Sequence, residues 1–84
     1  MSLVDFRKEI DLIDQELVQL LEKRFLIVHQ IGLLKKELGL PVFDPKREKE
    51  VLESKGKLIT NKEHLAYYES IFKLIMDISK DMEK

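Results

Sequence analysis

Two cations, Arg24 and Lys35, share one face of a long apolar segment in this 84-residue chain. Eleven residues advance a helix by three turns to within about 20°, so Arg24, Val28, Ile31 and Lys35 point the same way, with ~16 Å between the two charges along the axis. Long side chains at that separation can converge on one small ligand without touching each other. Arg24 is also the sole charge in a repeating apolar seam, where a guanidinium is costly to bury unless an anion meets it. The commonplace alternatives are an arginine that snorkels from a dimer seam onto a glutamate and a lysine solvated beside Lys36. The shared face favours a ligand.

Two further groups interrupt apolar patterns. Asp44-Pro45 is an N-cap followed by a first-turn proline, and it places Arg47 and Glu48 beside a helix N-terminus whose free N–H groups attract anions. Ser79 stands at a seam position of the last segment, with Glu83 one turn later on the same face. Alone, each reads as ordinary surface charge or a tolerated small residue. No nucleophile accompanies them: the chain has no cysteine and no Ser/His/Asp set. His29 and His64 lie too far apart in sequence to form a ligand pair at helix spacing, and without cysteine there is no thiolate metal site. The chemistry on offer is a cationic grip on a small anion.

The elements that must position these residues are helical. Leu3, Phe6, Ile10, Ile13, Leu17, Leu20, Arg24, Ile27, Ile31, Leu34 and Leu38 repeat with alternating steps of three and four. A capping box at Ser2 and Asp5 opens this helix, and Gly39 followed by Pro41 closes it, which predicts helix 3–38. A short helix over about 45–55 follows, ending near Gly56, with only Val51 and Leu52 as apolar content. Thr60 and Glu63 predict a capping box for a last helix over about 61–83, with Leu65, Tyr68, Phe72, Ile75 and Met82 as its seam. The expectation is one all-α domain spanning 1–84, with helices long, short and long.

The first helix would be ~54 Å long, whereas a compact chain of this size has a radius of gyration of about 12 Å. Its own chain cannot cover such a seam, so an intertwined symmetric homodimer is expected, a long coiled coil being the structural alternative. Size argues the same way, since a small core without disulfides or metals needs another staple. Fifteen Lys+Arg against sixteen Asp+Glu leave a net charge of -1, without the basic field of a nucleic-acid binder. Apolar runs such as Phe25-Leu26-Ile27-Val28 fall far short of the ~20 residues that span a bilayer, and no secretory segment is evident, so a cytoplasmic location is expected.

The order Arg7-Lys8-Glu9-Ile10, Ile13-Asp14, Leu20-Leu21, Arg24, Gly32, Lys35, Asp44, Arg47-Glu48 and Ser79 resembles the all-helical chorismate mutases, the AroQ class. The resemblance spans nearly the whole chain. It implies an intertwined homodimer with two equivalent sites that convert chorismate to prephenate by an intramolecular Claisen rearrangement, in phenylalanine and tyrosine biosynthesis, without cofactor or metal. It further implies that Arg24 and the partner subunit's Arg7 grip the substrate carboxylates and that Lys35 contacts a carboxylate and the ether oxygen. Asp44, through its backbone, and Glu48 would hold the substrate hydroxyl, Arg47 would polarise the pocket, and Ser79 would bond a carboxylate.

Helix geometry bears on one of these roles. Arg7 lies seventeen residues before Arg24, ~26 Å along the axis and about 100° around it, so one helix cannot bring both to one site. An antiparallel partner can. At position 83 the best-known bacterial members carry glutamine and some relatives glutamate. A glutamate donates to the ether oxygen only when protonated, so kcat/KM is expected to fall with rising pH and Glu83→Gln to flatten the fall.

Two rival readings remain at this stage. An isochorismate-pyruvate lyase of the same fold would use a similar cationic pocket, with the loop from Gly39 to Phe43 setting the difference. A non-catalytic helical dimerisation or regulatory module would tolerate alanine at Arg24 and Lys35. Docking onto another shikimate-pathway enzyme is left open.

Overall fold

The computed structural model describes residues 2–84 as three α-helices with one turn of 3-10 helix between the last two. Helix α1 spans Leu3–Leu38, α2 spans Pro45–Gly56 and α3 spans Leu65–Glu83. The described residues contain no strand. Each predicted helix forms, and the ends of α1 follow the expected chemistry. Ser2 Oγ accepts from the Asp5 N–H while the Asp5 carboxylate accepts from the Ser2 N–H, which closes the capping box. At the other end Gly39 adopts φ 68°, and the N–H groups of Gly39 and Leu40 donate back to the Lys36 and Lys35 carbonyls. This Schellman turn needs a left-handed residue, and glycine adopts it without steric cost.

The entry to α3 differs from expectation. Thr60 does not cap it; Asn61 does the turning, its side chain accepting from the Glu63 N–H at 3.0 Å. A short amide reaches a backbone donor two residues on more readily than a threonine one position earlier reaches three. The first turn is therefore the 3-10 helix Lys62–His64, and α3 begins at Leu65 rather than near 61.

Helix α3 packs against both α1 and α2, whereas α1 and α2 make no close backbone approach to each other. The contact stripe on α1 is Leu21, Arg24, Phe25, Val28, Gly32 and Lys35, all buried or half-buried. Its ten apolar seam residues, from Leu3 to Leu38, all remain exposed. The radius of gyration is 16.0 Å and the longest extent 54 Å, against about 12 Å for a compact chain of this length. Among the described residues only Val28, Val51 and Met76 form a buried apolar core. One chain therefore covers a single stripe of α1 and leaves the longer apolar seam bare.

Candidate active site

Because α3 touches both other helices while α1 and α2 stay apart, a cleft of about 230 Å³ opens between them. Helix α1 contributes Arg24, Val28, Ile31 and Lys35, the four residues expected to share a face. The loop adds Val42 and Asp44, α2 adds Arg47, Glu48 and Val51, and α3 adds Met76, Ser79, Lys80 and Glu83. All seven site residues assigned to a single chain (Arg24, Lys35, Asp44, Arg47, Glu48, Ser79, Glu83) thus line one cleft. Arg7 does not; it is exposed near the far end of α1.

Arg24 donates through Nη1 to the Ser79 hydroxyl, which in turn donates to the Ile75 carbonyl at 2.7 Å. The Ser79 proton is thereby committed to its own helix, and the hydroxyl presents an acceptor to the guanidinium. No carboxylate among the described residues pairs with Arg24, so the commonplace glutamate partner is missing within the chain. A half-buried guanidinium with one neutral acceptor retains four N–H donors for something else.

Lys35 lies deeper. Its ammonium stands 2.6 Å from Glu83 Oε1 and donates to the Val42 carbonyl at 2.9 Å. A lysine has three donors, so one remains for a ligand. The Glu83 side chain is 9% exposed and belongs to the last turn of α3, which places it firmly in the cleft wall. It can approach so closely because Gly32 lies opposite: a β-carbon there would stand 2.9 Å from the Glu83 Cα.

At the cleft's other wall, the Asp44 side chain accepts from the Arg47 N–H at 3.0 Å and its carbonyl accepts from the Glu48 N–H, which fixes the first turn of α2. Arg47 is largely exposed, with only Glu50 at 3.9 Å, and is free to swing over the opening. Glu48 Oε2 is buried and faces the Lys80 ammonium at 3.2 Å.

Lys80 is the cleft residue that sequence reasoning passed over. It also contacts Asp77 at 3.3 Å and lies 4.8 Å from the Phe43 ring centroid. The hydrogen bond that it donates to Glu48, ahead of the opposing effect of desolvation, raises its pKa above the ordinary 10.5. Its signal was present in the sequence: Met76, Lys80 and Glu83 follow the i, i+4, i+7 stripe, next to the seam on which Ser79 was noticed. With Lys80 included, four cationic side chains face three acidic ones, so the cleft carries a net positive charge.

The match to a family model described as chorismate mutase type II covers residues 6–84. A chorismate mutase from Methanocaldococcus jannaschii is 32% identical over 86 aligned positions, which cover 99% of this chain and 85% of that protein. A T-protein from Haemophilus influenzae is 44% identical over 54 residues, covering 64% of this chain but 14% of that much longer protein. The solved structure of a chorismate mutase (form II) from Thermus thermophilus superposes with a TM-score of 0.89 at 38% identity, covering 94% of this chain and 90% of that one.

Proposed function

The chain belongs to the type II chorismate mutase family, and from that premise we propose that it converts chorismate to prephenate as an intertwined homodimer with two shared sites. The observation that carries this reading is Arg24: a half-buried guanidinium in a net-positive cleft, without a carboxylate partner among the described residues. Its unmet donors suit a dianionic substrate.

The residue roles are those that the family resemblance implies, set on the donors of this cleft. Arg24 takes one substrate carboxylate in a bidentate grip, and Arg7 of the partner subunit takes the other. Lys35 turns its third donor to the ether oxygen and neighbouring carboxylate, and Glu83, in contact with Lys35, is the second donor to that oxygen through its carboxyl proton. The Asp44 backbone and the Glu48 carboxylate hold the substrate hydroxyl. Arg47 closes over the opening, and Ser79 reaches a carboxylate by rotating its hydroxyl away from Ile75.

A pericyclic rearrangement forms one C–C bond as one C–O bond breaks, within a single molecule. It needs no nucleophile; it needs a flexible substrate held in its reactive conformer and donors where charge develops. Negative charge grows on the ether oxygen as the C–O bond lengthens, so Lys35 and Glu83 bind the transition state more tightly than the substrate. Arg24 and the partner's Arg7 supply the conformational restraint.

Homodimerisation is supported by the exposed seam of α1 and by the size of the cleft. About 230 Å³ falls short of the ~300–1,000 Å³ usual for small-molecule sites, so another wall is wanted. Cytoplasmic function in phenylalanine and tyrosine biosynthesis fits a chain in which no described helix is long and apolar enough to cross a membrane. The match to a segment of a much longer T-protein supports association with a further protein or domain.

The test is turnover of chorismate by purified protein, with products identified. Prephenate should form, and Arg24→Ala should lose on the order of 10²–10³-fold in kcat while remaining dimeric by ultracentrifugation. Pyruvate as the main product of chorismate or isochorismate would replace this reading with the lyase. An inactive wild-type protein would leave only the non-catalytic module.

A further inference from the structure

We propose that Lys80 is a positioning residue that fixes the Glu48 carboxylate for the substrate hydroxyl and ties the loop after α1 to the same point. The proposal rests on the mutase reading, in which Glu48 meets that hydroxyl. Glu48 projects from the first turn of α2, a helix held in place by α3 and not by α1. Its Oε2 is buried, and the Lys80 ammonium at 3.2 Å is its one charged partner among the described residues. One carboxylate oxygen is thus held by the protein, and the other is left for a ligand O–H.

The lysine is itself held on several sides. Asp77, one turn earlier on α3, stands 3.3 Å from the ammonium, and the Phe43 ring lies 4.8 Å from it. Phe43 adjoins Val42, whose carbonyl accepts from Lys35 at 2.9 Å. Lys80 therefore joins α2, α3 and the loop that orients the ether-oxygen donor. A lone carboxylate on a cleft wall that must receive a dianion would be pushed outward by the substrate's own charge. The neighbouring ammonium opposes that push.

The test is a double-mutant cycle in the full-length dimer with chorismate as substrate, using Lys80→Met, Glu48→Gln and the pair. Lys80→Met should lower kcat/KM about tenfold, chiefly through KM, because the hydroxyl contact exists in ground and transition states alike. Lys80→Arg, which keeps the charge, should recover most of the loss. Added to Glu48→Gln, Lys80→Met should cost nothing further, since its effect passes through the carboxylate. Circular dichroism and sizing confirm that each variant is folded and dimeric. Additive losses, or full activity in Lys80→Met, would overturn the role of Lys80 while wild-type turnover keeps the mutase reading intact. A wild-type protein without turnover would instead remove that reading, and the Lys80 role with it.

Discussion

Gly32 of α1 lies against the backbone of Glu83 so closely that a β-carbon on the glycine would stand 2.9 Å from the Glu83 Cα and 3.0 Å from its carbonyl oxygen. That approach sets the height of α3 over α1, and with it the 2.6 Å contact between Glu83 and Lys35. The end of one helix is thereby built into the chemistry of another.

Gly32→Ala should separate activity from stability. Alanine gains up to about 1 kcal/mol of helix propensity over glycine, while overpacking costs about 1–3 kcal/mol if nothing yields. The last turn of α3 can yield by lifting off, so the melting temperature should change little. The lift takes Glu83 away from Lys35, and kcat should fall by about tenfold or more. Chorismate turnover and thermal denaturation of the same preparation check this, and wild-type kcat in a folded Gly32→Ala dimer would contradict it.

Gly39 makes the opposite case, stability without chemistry. Its φ of 68° is left-handed, and no atom from elsewhere in the fold lies within 4 Å of where a β-carbon would be, so the cost of alanine is conformational alone. Gly39→Ala should destabilise the protein by ~1–2 kcal/mol, and Gly39→Asn by less. Chemical denaturation of the dimer at fixed concentration measures both.

Substitution should reveal Glu83. Glu83→Ala removes the side chain that meets Lys35 and should lower kcat/KM by about tenfold or more, whereas Glu83→Gln keeps an N–H donor for the ether oxygen and should retain most of the activity. Wild-type kcat/KM in Glu83→Ala would remove this side chain from the mechanism.

Lys80 should leave a signature in alkaline solution. Its pKa in the folded chain is raised above the unfolded value of 10.5, first by the hydrogen bond with Glu48. A raised lysine contributes stability that is fully present below 10.5 and is lost as pH climbs through the folded value. Thermal melts compared at about pH 9 and at about pH 11 should show a larger drop for wild type than for Lys80→Met. Equal drops would mean that the ion pair adds nothing to folding.

Much of this architecture was legible in the sequence because its causes are local. The Ser2–Asp5 box, the Gly39 stop and the Asp44-Pro45 start depend on residues within one turn of each other, and all three form. The face that carries Arg24, Val28, Ile31 and Lys35 follows from helix geometry alone. What escaped depends on contacts between elements. Gly32 belongs to the family pattern, but its contact is invisible until α3 lands on it, and nothing in the sequence shows what Lys80 pairs with until α2 brings Glu48 to it. On α1 the pattern shows a broad apolar face but not its division: Val28 and Gly32 are covered within the chain, while the seam from Leu3 to Leu38 stays exposed. Asn61 displaced Thr60 at the entry to α3 because two side chains competed for the same turn, a contest that a one-motif reading does not weigh.

The central claim is that each site is assembled from two chains, Arg24 from one and Arg7 from the other. Arg7→Ala and Arg24→Ala should each be nearly inactive as pure dimers. Unfolded together in equal amounts and refolded, they form mixed dimers in which one site has lost both arginines and the other keeps both. Chorismate turnover should then return to about one quarter of the wild-type rate, because half the dimers are mixed and half their sites are intact. A mixture that stays as inactive as its components, although exchange of subunits is demonstrated, would contradict the shared site.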